Sequence, residues 1–125
     1  MKPVCEVMVS EILPGVRALV AGKLVEKHSF SQMKAAERLG TTQPAISQYR
    51  TGIRGSGIKR LRDNAELMGM VESIADRTAS GELSQDMVSM EFCNVCRFMR
   101  KEGIACEFHR KLYPSLKDCR ICMEE

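Results

Sequence analysis

The sequence predicts an all-α protein, organised as a helical domain over residues 1–79 and a small cysteine-rich helical region over residues 80–125. Three observations lead there. Apolar residues recur at helical spacing through most of the chain, capping and breaking residues cut that pattern into short segments, and five of the six cysteines crowd into the last third.

Taken in order, the first dozen residues alternate only weakly (Val4, Glu6, Val7, Val9) and stay open between a strand, an arm and a helix start. From about Pro14, a residue tolerated in a first turn, to about Lys27, the spacing of Val16, Leu19, Val20 and Leu24 predicts a helix with one buried stripe. Ser31 can cap "QMKAAERL", which Gly40 ends. Thr41 or Thr42 can cap "QPAISQYR", with Pro44 in its first turn, and Gly52 ends that helix. "GIRGSGIKR" reads as a basic loop leading into one long helix from about Ile58 to Arg77, with Leu61, Ala65, Met68, Val71, Ile74 and Ala75 inward. "TASGEL" marks the boundary between the halves. Ser84 can then cap "QDMVSMEFCNVCRFMRKEG", stopped at Gly103. The remainder is short, polar and interrupted by Pro114, so packing alone would hold it poorly and a staple is expected.

With 44% hydrophobic and 28% charged residues, the composition is that of a folded globular chain. No segment approaches the roughly 20 apolar residues of a membrane span, and the N-terminus lacks the pattern of a signal peptide. A cytoplasmic protein with no membrane partner is expected. The net charge of +3 identifies no partner, but its distribution is uneven. Ten basic residues stand against two acidic ones from Arg17 to Arg62, whereas seven stand against eight from Gly81 onward. A basic front and a near-neutral back suggest a polyanion-binding part joined to one with another task.

Within the basic front, two short helices meet at Gly40. Ala36 supplies the small residue a helix-turn-helix needs where its helices cross, and Gly40 the residue that tolerates a left-handed turn. Ala35, Leu39, Ile46 and Tyr49 sit where apolar anchors belong, which leaves Gln43, Pro44, Ser47 and Gln48 facing outward. Glutamine can bond both a donor and an acceptor of adenine in the major groove. The pattern resembles the Cro-type (XRE) helix-turn-helix of lambdoid phage repressors, nearly letter for letter in "LGTTQ". That resemblance implies base contacts by Gln43 and Gln48, while Pro44 departs from it and would read its base pair by apolar contact or not at all. Thr41, Thr42, Arg50, Arg54 and Lys59 would hold phosphates, orienting the helix without specifying sequence. One recognition helix covers few base pairs, so a homodimer on a palindromic DNA operator is expected.

The cysteines run Cys93-x-x-Cys96, Cys106, then Cys119-x-x-Cys122. In a reducing compartment this clustering points to metal or redox chemistry rather than disulfides. Zinc would be satisfied by the two C-x-x-C pairs, or by Cys106 and His109 with one pair; a [4Fe-4S] cluster also needs four thiolates. His109 itself reads as a packed or hydrogen-bonded histidine. Cys5, remote in sequence, could reach the cysteine cluster if the N-terminal arm folds across the tail, or from the other subunit of a dimer, but reads first as a small buried hydrophobe, and Met87, Met90 and Met99 read as core filler.

From "PVCEVMVSEILPGVRALVAGKLVE" to "KDCRIC", the chain is similar to a family of small archaeal predicted transcriptional regulators with a helix-turn-helix in front and a cysteine cluster behind. In methanogen-type members that implies an anaerobic cytosol, which tips the expected cofactor toward a [4Fe-4S] cluster over Zn2+. No Gly-rich phosphate loop, nucleophile elbow or C-x-x-x-C-x-x-C motif suggests an enzyme. The expected function is a redox-, oxygen- or iron–sulfur-responsive DNA-binding regulator; a zinc-stabilised regulator or adaptor is the alternative.

Overall fold

The computed structural model of the protein describes residues 1–52 and 56–124. Among these the regular structure is entirely helical. The open N-terminal dozen is helical as well: α1 (Val4–Val7) continues through a π-helical turn (Met8–Ile12) into α2 (Leu13–Glu26). The weak alternation arises because Val7, Met8 and Ile12 turn inward while Glu6 and Val9 face solvent. α2 is central. Its buried Val16, Leu19, Val20, Ala21 and Leu24 support the helices that follow, α3 (Gln32–Leu39), α4 (Gln43–Gly52), α5 (Ser56–Arg62) and α6 (Ala65–Ala79).

The start and stop of α3 follow from single residues. Ser31 Oγ accepts the Lys34 N–H at 3.1 Å, and buried Phe30 and Ala35 flank that cap as a hydrophobic staple would. Gly40 takes φ +69°, and the next amide, Thr41, bonds back to the Ala36 carbonyl at 2.9 Å in the six-to-one pattern of a Schellman turn.

The single long helix expected over 58–77 is two helices. The chain breaks at Asp63–Asn64, where Asn64 is extended and its Oδ1 accepts the Leu67 N–H at 2.9 Å. An asparagine that satisfies the first donors of a new helix makes the break inexpensive. The periodicity reads straight through it because Leu61 and Val71 stay buried on either side. Leu67 rather than Ala65 then fills the core.

α7 (Gln85–Lys101) ends at Gly103, which takes φ +79°. Ser84 precedes it in extended conformation, but its hydroxyl bonds to the Asp86 carboxylate at 2.9 Å instead of capping. The tail is better packed than its polarity suggests. α8 (Ile104–Leu112) buries Ile104, Ala105 and Cys106, and a 3-10 turn (Pro114–Leu116) leads to α9 (Ile121–Glu124). Only one face of α8 is apolar, and its burial suffices to dock the helix. Met99 is core, as expected, whereas Met87 and Met90 are about half exposed and are not.

One core runs through both halves, from Val7 and Val16 to Val95, Met99 and Ile104. Polar ties cross between them too. Gln85 Nε2 donates to the Glu37 carbonyl at 2.6 Å, and Arg60 holds Glu107 through two bonds of 2.7 and 2.8 Å; within the first half, Arg38 donates to the Thr78 carbonyl at 2.8 Å.

Candidate functional site

On α4, three of the four side chains expected to face outward do so. Ala35, Ala36 and Ile46 are buried, and Leu39 packs half-buried against the same core, so one side of α4 is fixed to the body. Gln43, Pro44 and Gln48 are exposed on the other side. Ser47, expected to face outward with them, is half-buried and already engaged in an interaction, because it lies nearer the Ile46 side of the helix. Thr42 Oγ1 accepts the Ala45 N–H at 3.3 Å and so caps α4; of the two candidate caps, Thr42 is the one used. Thr41 is half-buried at the turn, and Lys59 is exposed on α5. Arg54 lies outside the described residues, as do the side chains of Tyr49 and Arg50.

One contributor was not anticipated. Gln43 Nε2 donates to Gln32 Oε1 at 2.7 Å, so the first side chain of α3 fixes the first side chain of α4. A glutamine at the start of each helix was visible in the sequence; that the two starts adjoin follows from the crossing angle.

At the far end, Cys93 and Cys96 lie three apart on α7, exposed and half-buried respectively. Cys106 is buried in the first turn of α8, Cys122 is buried on α9, and Cys119 is half-buried just before it. The Cys106 and Cys122 thiols are within hydrogen-bonding reach. Burial pushes the Cys106 thiol up from its ordinary pKa, and the facing Cys122, with Cys119 further off, adds to the rise. Burial likewise raises Cys96, helped by Cys93 and by Cys5. Cys5 is therefore an electrostatic neighbour of the α7 pair, and it is exposed rather than the buried hydrophobe expected.

Among the described residues no three His, Cys, Asp or Glu side chains surround a point where one metal ion would sit. The donor set nevertheless suits a thiophilic centre. A metal takes cysteine as the thiolate, so binding there would release the thiol protons.

His109 behaves as the sequence suggests: its Nε2 bonds with the Lys2 carbonyl at 2.8 Å, and its ring meets Tyr113 edge-on at 5.6 Å. The Lys2 amide in turn donates to the Tyr113 hydroxyl at 2.8 Å. This clasp between the N-terminal arm and α8 has no sequence signature, since it is made to main-chain atoms. Comparison with family models, curated proteins and solved structures finds no match for this chain.

Proposed function

We propose that the protein is a sequence-specific DNA-binding transcriptional regulator of Cro type, acting in the cytoplasm as a homodimer on a palindromic operator and carrying a Cys-ligated [4Fe-4S] cluster. The observation that carries this reading is the outward row Gln43, Pro44 and Gln48 on a helix whose opposite side is anchored by buried Ile46. Support comes also from the paired amides of Gln32 and Gln43 and from the exposed Lys59 beside the row's supporting helices. In this reading α4 enters the major groove. Gln43 and Gln48 read base edges, while Thr41, Thr42, Arg50, Arg54 and Lys59 meet phosphates.

Four thiolates drawn from Cys93, Cys96, Cys106, Cys119 and Cys122 would hold the cluster, which supplies sensitivity to oxidation, reduction or iron supply. The protein's own part is to convert a change at α7–α9 into a change at α4. Direct ties exist for that: Gln85 on α7 holds the carbonyl of Glu37 just before the helix-turn-helix turn, and Arg60 on α5 holds Glu107, the residue after Cys106. A displacement of an ångström or two between two recognition helices is enough to spoil docking on half-sites one turn apart.

The test is selection of a preferred duplex from random DNA, followed by two variants. Gln48→Ala should weaken the selected operator about 5- to 150-fold, the equivalent of roughly 1–3 kcal/mol for a bidentate base contact, and leave random DNA unchanged. Lys59→Ala should weaken both alike and reduce the salt slope by about one. Equal losses on both duplexes for both variants would refute the assigned roles. Iron matched by acid-labile sulfide in protein purified without oxygen supports the cluster; one zinc per chain refutes it.

A further inference from the structure

Where the turn between α3 and α4 faces the start of α7, the surface folds into a cleft of about 470 Å³ that the reading above does not use. That volume lies within the range of small-molecule sites. Its walls are apolar where Leu39 of the turn meets Val88 and Phe92 of α7, and Thr41 and Ser89 add hydroxyls. Arg17 reaches in from α2. Its guanidinium lies over the Phe92 ring, 5.7 Å from the centroid, and among the described residues no carboxylate pairs with it. Stacking uses the face of a guanidinium and leaves its N–H edge for a planar acceptor. The cleft's own carboxylate, Asp86, stands at the other end. It precedes Phe92 by six residues, about 9 Å along the helix, and it accepts the Ser84 hydroxyl at 2.9 Å. Gln85 bridges the two sides: its Nε2 holds the Glu37 carbonyl at 2.6 Å, and its side chain lies 3.5 Å from where a Cβ on Gly40 would stand.

We propose that this cleft binds a small organic carboxylate with an apolar body. The carboxylate takes the N–H edge of Arg17 in two parallel hydrogen bonds, and the body lies on Leu39, Val88 and Phe92, away from Asp86. A bare inorganic anion would lack the apolar contact, and a hydrocarbon would leave Arg17 without an acceptor. Binding of this kind needs none of the cysteines, so the site is independent of the metal reading. Its use as a control point rests on the DNA-binding reading. The ligand would touch Leu39, Gly40 and Thr41 on one side and α7 on the other, and Thr41 stands two residues before the start of α4. A filled cleft therefore fixes the distance between α7 and the turn from which α4 begins. An acid that fits one such spacing better than another shifts the balance between them by that difference in affinity.

The test titrates the full chain with 2-naphthoate, using 2-naphthamide as the neutral isostere and acetate as an anion without an apolar body. The chain has no tryptophan, so naphthalene fluorescence reports binding directly. 2-Naphthoate should saturate one site per chain, the amide should bind about tenfold or more weakly, and acetate should not compete. Arg17→Gln should weaken naphthoate about tenfold or more and leave the amide unchanged, as the loss of charge-assisted hydrogen bonds requires. Ser89→Phe, at an exposed position on the cleft wall, should weaken both ligands by filling the space, with an unchanged far-UV circular dichroism spectrum. No saturable binding, equal affinity for acid and amide, or a naphthoate affinity that neither variant lowers would overturn the site. Naphthoate should also change the affinity for the selected duplex at least about fivefold in wild type and not in Ser89→Phe. Naphthoate bound with no change in duplex affinity would overturn the control role. A chain that binds naphthoate and selects no duplex would refute the DNA-binding reading, and the control role with it, while supporting the cleft as a binding site.

Discussion

At the scale of single residues, Gly103 shows how much can depend on one hydrogen atom. It turns α7 into α8 at φ +79°, and a Cβ there would approach the Met123 sulfur to 2.9 Å. Gly103→Ala should therefore lower stability by about 1–2 kcal/mol for the left-handed backbone alone, read as a lower urea midpoint; an unchanged midpoint would mean the turn relaxes freely. Gly40, also left-handed at φ +69°, has more room, its hypothetical Cβ lying 3.5 Å from the Gln85 side chain. Much at this scale was legible in the sequence. Ser31, Gly40 and Gly103 announce themselves because a cap or a positive φ restricts the residue type. Cys5 did not, because a cysteine's exposure depends on where a distant helix lies, and the same letter suits a core, a surface or a ligand.

At the scale of elements, the helices with strong apolar stripes were readable, and so were the breaks marked by glycine or a cap at Gly40 and Gly103, but not the one within the expected helix over 58–77. α2 lies within a residue of its expected bounds, and α3 and α4 begin and end at the caps and glycines that the sequence offers. The break between α5 and α6 was missed because periodicity continues across it, leaving only Asn64 as a signal. That residue gives the element its test. As the N-cap of α6, Asn64→Ala should cost about 1 kcal/mol, whereas in the middle of one continuous helix the same change would stabilise, alanine being the better helix former. The sign of the change in urea midpoint decides between the two. α8 was underrated for a related reason: its Arg110, Lys111 and exposed Glu107 dominate the letters, while the buried Ile104, Ala105 and Cys106 occupy only its first turn.

At the scale of the whole molecule, what matters is how the N-terminal half and the cysteine-rich half are joined, and none of those joints was visible beforehand because each links residues far apart in sequence. The Arg60–Glu107 pair is the most titratable of them. The hydrogen-bonded Arg60 guanidinium holds the Glu107 carboxyl below its usual range. A carboxylate with a lowered folded pKa adds stability that is complete above the unfolded value of about 4.3 and disappears as pH falls through the folded value. The stability difference between wild type and Glu107→Gln should accordingly be constant near neutrality and close on acidification. Both side chains are well exposed, so solvent and salt screen the pair and its worth should stay below about 1 kcal/mol. A difference that grew on acidification would contradict the pairing.

The π-helical turn also sets how this chain can vary in length. Each residue of an α-helix advances the side chains by about 100°, so a single insertion or deletion within Met8–Ile12 would rotate everything before it by more than a quarter of a turn relative to α2. The inward Val7 would swing off the core, and the contacts of α1 with α8 would be lost with it. Substitutions can accumulate on the exposed side of this segment, at Val9 or Ser10, but its residue count is fixed by what stands at both ends.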